Sequence, residues 1–346
     1  MAHKKKGEAS AMTLRQQAYN HLNDMLNAGI GRSRHQDKTD GSDMNRIYSF
    51  KSFDTYRQSM EYYIRWLEIN HPEIKTMKKA RKYTRDWLTS LEGKYSAYTI
   101  QTRAKAICKY YGITPVDNDY YQPPVRHRED ITRSRQRTKT DDHLSELKNE
   151  QLIHFCEHTG LRREGIEGIT GGCLYSIDFL RSEAERIHNK SKYERDEKEV
   201  VLLDCYDRIA LFRDDFHYYI LVCEKGGKWR LAPILGTDSD VDRVVSKIES
   251  TARGHRVWGN VSKNCDIHSH RGKYAALLYR MYARPIDEIP YDKVNKGSGN
   301  KYQSEVYICR TDQAGKRFDK RAMLVVEKAL GHESLHTFAS HYAYLL

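Results

Sequence analysis

Apolar residues recur every three or four positions in the first third of the chain, the spacing of amphipathic helices. Ser52 can cap the start of the clearest helix, and His71 followed by Pro72 predicts its end, because the residue before a proline disfavours the helical conformation. The apolar positions of this helix are Phe53, Tyr56, Met60, Tyr63, Ile64 and Leu67. Two further helices are predicted, the second ending at Gly112. The pattern indicates a small all-helical domain over residues 49–113.

Polar segments flank this helical domain on both sides. Residues 1–48 are rich in Lys, Arg, Gly, Ser and Asp, and we expect a basic N-terminal arm that is partly flexible, with one amphipathic stretch at residues 12–27. Residues 114–143 predict a basic linker, because residues 126–139 hold six Arg or Lys against two acidic residues without apolar periodicity. Such a linker is either a solvated tether or a strap along a phosphate backbone.

The remaining residues, 144–346, predict a second domain that mixes helices with a few strands. After one or two helices, strand-like runs occupy residues 173–181, 209–225 and 229–235. Gly226 and Gly227 predict a hairpin turn between the last two runs. Beyond Asp238 the pattern is mainly helical, and a polar segment at about 285–318 interrupts it with a further hairpin. The expected fold class is a multidomain, mainly α chain with a small antiparallel sheet.

The composition points to a polyanionic partner. Lys and Arg number 59 against 47 Asp and Glu, a net charge of +12, which favours nucleic acid. No run approaches the roughly 20 apolar residues of a membrane span, and no apolar secretion signal is visible, so we expect no membrane partner. Seven scattered cysteines without a CxxC pair predict reduced thiols in a cytoplasmic protein, and we expect no metal site from them.

Four short stretches of the second domain carry residue types that can act on phosphates. Arg162 follows a Thr-Gly-Leu sequence, and Lys225 lies at the predicted hairpin turn. His268 and Arg271 are three residues apart and share one helix face, where an imidazole and a guanidinium together suit a phosphate. The last stretch, LGHESLHTFASHY, ends at Tyr342. Taken singly, each has an ordinary interpretation as a surface arginine, a solvated loop or a polar helix end.

In this order, however, the four stretches resemble the motifs of the tyrosine recombinases, the family of phage integrases and Xer-type resolvases. The resemblance covers residues 45–346; its motifs lie in about the last 200 residues, whereas the helical segment at 50–112 matches by pattern alone. It implies a SAM-like helical core-binding domain followed by a mixed α/β catalytic domain. The two domains would close around duplex DNA.

The resemblance also implies a phosphoryl-transfer site of six side chains: Arg162, Lys225, His268, Arg271, His332 and Tyr342. The two arginines would clamp one DNA phosphate, and His332 would donate a further hydrogen bond to it. The phenol of Tyr342 would attack the phosphorus to form a 3′-phosphotyrosyl link, with His268 as proton acceptor and Lys225 as proton donor to the leaving 5′-oxygen. Because that link conserves the energy of the cut bond, rejoining needs no ATP, metal ion or other cofactor.

The sequence leaves one choice of residue, and it departs from the family at Gly165 and in the segment at about 285–318, among other places. Tyr342 follows His332 by ten residues and Tyr344 by twelve, and relatives place the nucleophile about nine or ten residues after this histidine, which favours Tyr342. Relatives carry an acid where this chain has Gly165, and which neighbouring carboxylate replaces it, if either, is open between Glu164 and Glu167. The segment at 285–318 is an insertion relative to compact relatives.

The predicted function is site-specific DNA recombination, with integration or excision of a mobile element as its setting. The resemblance implies a homo-tetramer on two synapsed double-stranded DNA sites, accessory DNA-bending or directionality proteins, and a location in the bacterial cytoplasm or nucleoid. Two alternatives stay open: DNA relaxation like that of a type IB topoisomerase, and a non-catalytic DNA-binding protein on the same scaffold. The basic residues expected to contact DNA, on outer helix faces and in the linker, are Lys78, Lys79, Arg81, Lys82, Arg103, Lys105, Arg133, Arg135 and Arg137.

Overall fold

The chain divides after Ile131 into two compact units. The computed structural model describes residues 12–127, 144–224, 227–289, 305–310 and 313–346. The fold is mainly helical with a small antiparallel sheet, as the sequence pattern predicts. No helix within the described ranges is both long and apolar enough to cross a bilayer.

Helices and turns build the described part of the first unit. Its helices are α1 (Leu14–Gly29), α2 (Arg34–Thr39), α3 (Phe50–Asn70), α4 (Met77–Ala80), α5 (Thr84–Thr89) and α6 (Ala97–Tyr111). The Ser49 hydroxyl accepts the N–H of Ser52 at 3.2 Å, so α3 is capped by Ser49 and the predicted cap at Ser52 is wrong. Gly112 ends α6 in the left-handed conformation, at φ 65°, as predicted.

The segment before α3 belongs to the core of this unit, so the prediction of a separate arm over residues 1–48 is wrong for its described part. One face of α1 is buried against α3, with Leu22 fully buried in the shared core. Ile47 is buried in the same core, and its N–H donates to the carbonyl of Met25 at 2.8 Å. The polar residues between them form α2 and a 3₁₀ turn on the surface, which is why composition alone indicated a loose segment.

The same core extends past residue 113, the predicted end of the helical domain. Tyr121 is buried, and its hydroxyl donates to Glu92 at 2.5 Å. The linker predicted at 114–143 therefore starts within the first unit, and residues 128–143 of it lie outside the described residues.

The second unit mixes helices with two small antiparallel sheets. Its helices are α7 (Glu150–Thr159), α8 (Arg163–Gly168), α9 (Ile177–His188), α10 (Glu197–Arg208), α11 (Asp238–Glu249), α12 (Ile267–Tyr282), α13 (Lys320–Ala329) and α14 (Leu335–His341). Its strands are β1 (Leu174–Ser176), β2 (Tyr218–Glu224), β3 (Lys228–Pro233), β4 (Val306–Ile308) and β5 (Arg317–Asp319). In the larger sheet β2 lies between β1 and β3, and Val222 faces Arg230 in the register.

Two predicted strand runs are shorter than expected. Residues 177–181 are helical because the Ser176 hydroxyl accepts the N–H of Phe179 at 3.2 Å and starts α9. Residues 209–217 precede β2 in turns, and the buried side chains of Ile209, Phe212 and Phe216 fill the core without pairing as a strand. The hairpin predicted in the insertion is present as β4 and β5.

Helix α12 organises the second unit by packing against both α7 and α13. Its Tyr274 is completely buried, and the hydroxyl donates to the carbonyl of Pro233 in β3 at 2.8 Å. A Cβ on Gly160, at the end of α7, would lie 2.5 Å from the Tyr274 ring, and Gly160 has φ 58°. Glycine is therefore required there, and the end of α7 meets β3 and the middle of α12 at one point.

Replacing Leu22 with Ala tests whether α1 is part of the first unit's core. Leu22 has no exposed surface, so its truncation should lower the free energy of unfolding by about 2–5 kcal/mol. Denaturant unfolding followed by circular dichroism measures the change. Asn27→Ala, at an exposed position of the same helix, is the matched control. Equal stabilities for the two variants would contradict the packing of α1.

Candidate active site

The turn that ends α7 gathers two buried arginines around one carbonyl oxygen. The oxygen of Gly160 accepts a hydrogen bond from Arg230 Nη2 at 3.3 Å and a second from Arg271 Nη1. Arg230 comes from β3 and Arg271 from the second turn of α12, and both are almost completely buried. Arg162, two residues after Gly160, occupies the N-cap of α8. Three guanidinium groups therefore meet at this turn.

Glu224, at the end of β2, is the carboxylate that balances these cations. It accepts from the Arg162 backbone N–H at 2.7 Å and from Arg162 Nη1 at 2.5 Å. Arg230 Nε and Nη2 both donate to it at 3.2 Å, and Arg271 Nη1 lies 3.9 Å away. Burial opposes ionisation of Glu224, but the charges of Arg230 and Arg271 outweigh it and lower its pKa to about 2. Glu224 is therefore ionised at neutral pH.

The carboxylate beside Arg162 comes from β2 and not from the residues around position 165. Neither neighbouring glutamate contacts Arg162 in the described structure; Glu167 instead lies 3.5 Å from Arg163. A Cβ added to Gly165 would come within 3.0 Å of Glu224 Oε1. The glycine therefore makes room for the carboxylate that the sheet supplies.

Arg271 connects this cluster to the end of the chain. Its Nη2 donates to the carbonyl of Leu330 at 2.6 Å and lies 3.3 Å from His332 Nε2. Its Nε donates to the Tyr342 hydroxyl at 3.3 Å. Burial lowers the pKa of Arg271, while the neighbouring Tyr342 and Glu224 oppose that shift. The guanidinium is thus fixed by main-chain oxygens and touches both an imidazole and a phenol.

Tyr342 directly follows α14 and is only 2% exposed. Its ring stacks on that of His332, with centroids 5.9 Å apart and planes inclined by 8°. The exposed His268, from the first turn of α12, has its ring centroid 6.1 Å from that of Tyr342. Tyr344 is half-buried, two residues further on. The structure thus places the Tyr342 phenol between two imidazoles and against Arg271.

A buried carboxyl group lies behind His332. Glu327, 1% exposed in α13, has its Oε2 3.1 Å from His332 Nδ1, without the alignment of a hydrogen bond. Burial raises the pKa of Glu327 to about 8. Burial and the charges of Arg271 and Arg162 lower the pKa of His332 to about 3. At neutral pH the pair is therefore a neutral imidazole beside a protonated carboxyl group.

Five of the six predicted site residues lie together: Arg162, His268, Arg271, His332 and Tyr342. Lys225 lies outside the described residues, one position after Glu224. Sequence reasoning missed Glu224, Arg230 and Glu327. Arg230 left a weak signal, because it is the one charged residue of the run 229–235 and stands at an inward position of β3 beside outward-facing Trp229.

A cavity of about 600 Å³ opens beside this cluster. Arg162 and His332 line it on the side of the site, and Lys228 ion-pairs with Glu333 at its edge. Its other charged lining residues are Arg208, Arg230, Lys328 and Glu224. Cations outnumber carboxylates in this lining, so the cavity favours an anionic ligand.

The predicted DNA-contacting residues of the first unit divide into two groups. Lys78, Lys79, Lys82 and Lys105 are exposed. The prediction that Arg103 lies on an outer face is wrong, because its guanidinium is buried between two tyrosine rings, 4.6 Å from the Tyr62 centroid and 4.1 Å from that of Tyr95.

Arg81 is half-buried and donates to Asp119 at 2.6 Å, so its charge is already paired in the first unit. Arg133, Arg135 and Arg137 lie outside the described residues.

Glu327→Gln tests the buried pair behind the site. In the folded protein the pKa of Glu327 is about 8, against 4.5 for an ordinary glutamate, so the folded state keeps a proton that the unfolded state loses. The resulting stability is complete below pH 4.5 and is lost as the pH rises through 8. The free energy of unfolding of Glu327→Gln should decline less than that of the wild type across this window.

Glu333→Gln is the control for this measurement. Glu333 is exposed, and the Lys228 ammonium lowers its pKa, so its titration falls below the window. In Glu333→Gln the free energy of unfolding should therefore decline with pH as steeply as it does in the wild type. An identical decline in the wild type and Glu327→Gln would show that Glu327 is ionised throughout.

Comparison of the chain with protein-family models and with curated proteins finds no match to either. The arrangement of side chains around Gly160 and Glu224 is therefore the basis for assigning a function.

Proposed function

We propose that the protein is a tyrosine recombinase that cleaves and rejoins duplex DNA through a 3′-phosphotyrosyl intermediate. The observation that carries this proposal is the contact of 3.3 Å between the Tyr342 hydroxyl and Arg271 Nε, within a cluster that also holds Arg162 and His332. A phenol beside fixed guanidinium groups suits attack on a phosphodiester, because the cations stabilise both the phenolate and the charge that grows on the phosphoryl oxygens.

The cleavage step balances with the residues of this chain. Tyr342 Oη forms a bond to phosphorus as the bond from phosphorus to the 5′-oxygen breaks. His268 is proposed to accept the phenol proton, and Lys225 to give a proton to the departing oxygen. Rejoining runs the same exchange in reverse, with the 5′-hydroxyl as nucleophile. No external energy source is needed, since one phosphoester replaces another.

The arginines differ in how they would meet the phosphate. The Arg162 side chain is 27% exposed and faces the cavity, so it can receive phosphoryl oxygens directly. Arg271 is buried, and its Nε is occupied by Tyr342. A phosphate that reaches Arg271 must therefore enter between it and the phenol, which brings the phosphorus to the nucleophile.

His332 requires a change of proton position for its proposed role. Its Nε2 now faces an N–H of Arg271 at 3.3 Å and acts as an acceptor. To donate to a phosphoryl oxygen, Nε2 must carry a proton. Burial and the arginine charges lower the pKa of His332 to about 3. The negative charge of a bound phosphate would offset the arginine charges and would therefore favour a proton on this ring.

The setting that we propose is integration or excision of a mobile element, by four protomers on two DNA sites. The excess of 12 basic residues supports a nucleic-acid partner. The exposed lysines of the first unit supply charge for contacts to the phosphate backbone. The β4–β5 hairpin offers a surface for a neighbouring protomer or for DNA.

Replacing Tyr342 with Phe tests the nucleophile. The substitution removes one oxygen from a buried ring, so we expect covalent capture of DNA to be abolished while DNA binding is nearly unchanged. A duplex with the sequence that flanks the gene, nicked near the crossover to trap the adduct, is the substrate, and denaturing electrophoresis detects the link. Tyr344→Phe is the matched control and should keep the adduct. An adduct with Tyr342→Phe but none with Tyr344→Phe would assign the reaction to Tyr344. If the wild-type protein binds the DNA but forms no adduct, the proposed strand cleavage is refuted.

Two further assays separate this proposal from its alternatives. A type IB topoisomerase would relax a supercoiled plasmid that carries no recombination site, whereas a recombinase should join two DNA molecules only at specific sites. A non-catalytic DNA-binding protein would retard the DNA without forming either product. We expect joining that depends on the site and on Tyr342.

A further inference from the structure

Three side chains of types that can bind metal ions meet between α7 and the start of α11, outside the candidate active site. His154 and His158 are one helical turn apart on the same face, and Asp240 reaches them from the first turn of α11. One ligand atom from each residue lies within 4.8 Å of the other two. His154 Nε2 is 3.0 Å from Asp240 Oδ1, and His158 Nε2 is 3.8 Å from the same oxygen.

Neighbouring groups aim two of these ligands at a common point. His158 Nδ1 donates to the carbonyl of Leu235 at 2.7 Å, so in the neutral imidazole the lone pair of Nε2 faces Asp240. The other oxygen of Asp240 accepts from the Thr237 N–H at 3.0 Å and from its hydroxyl at 2.7 Å, which leaves Oδ1 facing the imidazoles. Ligating histidines and carboxylates are oriented by such outer contacts.

The backbone between the ligands is shaped to let them approach. Gly236 has φ 131°, a conformation that favours glycine. A Cβ at this position would lie 2.6 Å from His158 Nδ1 and 2.6 Å from the Cβ of Asp240. A side chain at residue 236 would therefore separate the helix that carries both histidines from the aspartate.

We propose that His154, His158 and Asp240 bind one divalent transition-metal ion of the zinc type. In a tetrahedral zinc site with bonds of about 2.0–2.1 Å, ligand atoms are about 3.3 Å apart. The separations of the two imidazole nitrogens from Asp240 Oδ1, 3.0 and 3.8 Å, lie on either side of that value, and all three ligand atoms lie within 4.8 Å of one another. The imidazoles would shift to complete the site. Binding would release to solvent the proton of the hydrogen bond between His154 Nε2 and Asp240 Oδ1, and water would fill the fourth position.

The ion would link α7 to α11. It would thereby hold in place the end of α7, where Gly160 accepts hydrogen bonds from Arg230 and Arg271. That role goes beyond the proposed function, since strand transfer itself requires no metal ion. All three ligands are half-buried, so an ion can enter from solvent while the imidazoles stay ordered. A hydrogen-bonded His–Asp cluster without an ion is the competing interpretation of the same contacts.

The test is a titration of the full-length, chelator-treated protein with Co²⁺, followed by visible absorption and by competition with Zn²⁺. We expect saturation at about one equivalent per chain, with the intense bands of a tetrahedral site. His154→Gln and His158→Gln should each weaken binding by at least about tenfold. Neither substitution removes the Thr237 cap of α11, and circular dichroism reports whether each variant is folded. His188→Gln, at an exposed helical position, is the matched control and should bind as the wild type does.

A second experiment tests whether cysteine thiols, rather than the two histidines, bind the metal ion. Cys265 interacts with both Cys156 and His270 in the same unit, and this group could also take a soft metal ion. Binding should survive Cys265→Ser, and X-ray absorption of the zinc-loaded wild type should show nitrogen and oxygen neighbours at about 2.0–2.1 Å and no sulfur at about 2.3 Å. Absence of saturable binding, a sulfur shell, or full binding by folded His154→Gln and His158→Gln would overturn the proposal.

Discussion

The buried carboxylate of Glu224 offsets the cost of burying several positive charges at the centre of the second unit. Three arginines from separate parts of the chain converge there, and two of them have almost no access to water. Uncompensated buried charges are strongly destabilising. A single carboxylate and the carbonyl oxygens of Gly160, Ala329 and Leu330 supply the compensation. The ion pairs and hydrogen bonds of these arginines therefore connect the larger sheet, the turn that ends α7 and helix α12.

The compensation is incomplete, and that imbalance gives the site its chemical character. One ionised carboxylate faces three guanidinium groups. The same positive field helps to keep His332 neutral, while burial keeps Glu327 protonated, so neither residue adds counter-charge. Among the described residues no second ionised carboxylate pairs with these three arginines, so a bound anion would supply the missing negative charge. A phosphodiester would provide it, and would be bound most strongly where its charge is greatest, during transfer.

The sequence predicted those parts of the site whose signals are local. Arg271 follows His268 by three residues and Tyr342 follows His332 by ten, and the resemblance of these short stretches to the motifs of one family singles them out. Glu224 could not be found in this way, because its hydrogen bond to Arg162 spans 62 residues of sequence. The contact between Arg230 and Ala329 spans 99 residues. Such pairings depend on how strands and helices pack, and only the folded chain brings these residues together.

The fold shows the same division. The period of apolar residues predicted α3, α6 and the β2–β3 hairpin, because each buries one regular face. Polarity alone was misleading around α1, where a surface turn follows a buried helix face. Charge alone was equally misleading for Arg103, since a guanidinium can stack on aromatic rings as readily as it can face solvent.

If Tyr342 is the nucleophile that we propose, its burial makes the protein inactive in the described conformation. The segment after this residue forms a 3₁₀ turn on α12, where Leu345 lies against Gly272 and accepts a hydrogen bond from Arg280 at 2.9 Å. If the phenol acts as proposed, this terminal turn must move away from α12 before the phosphodiester bond is cut. The movement of these few residues would then limit the turnover rate, and a better leaving group on the DNA would not increase that rate.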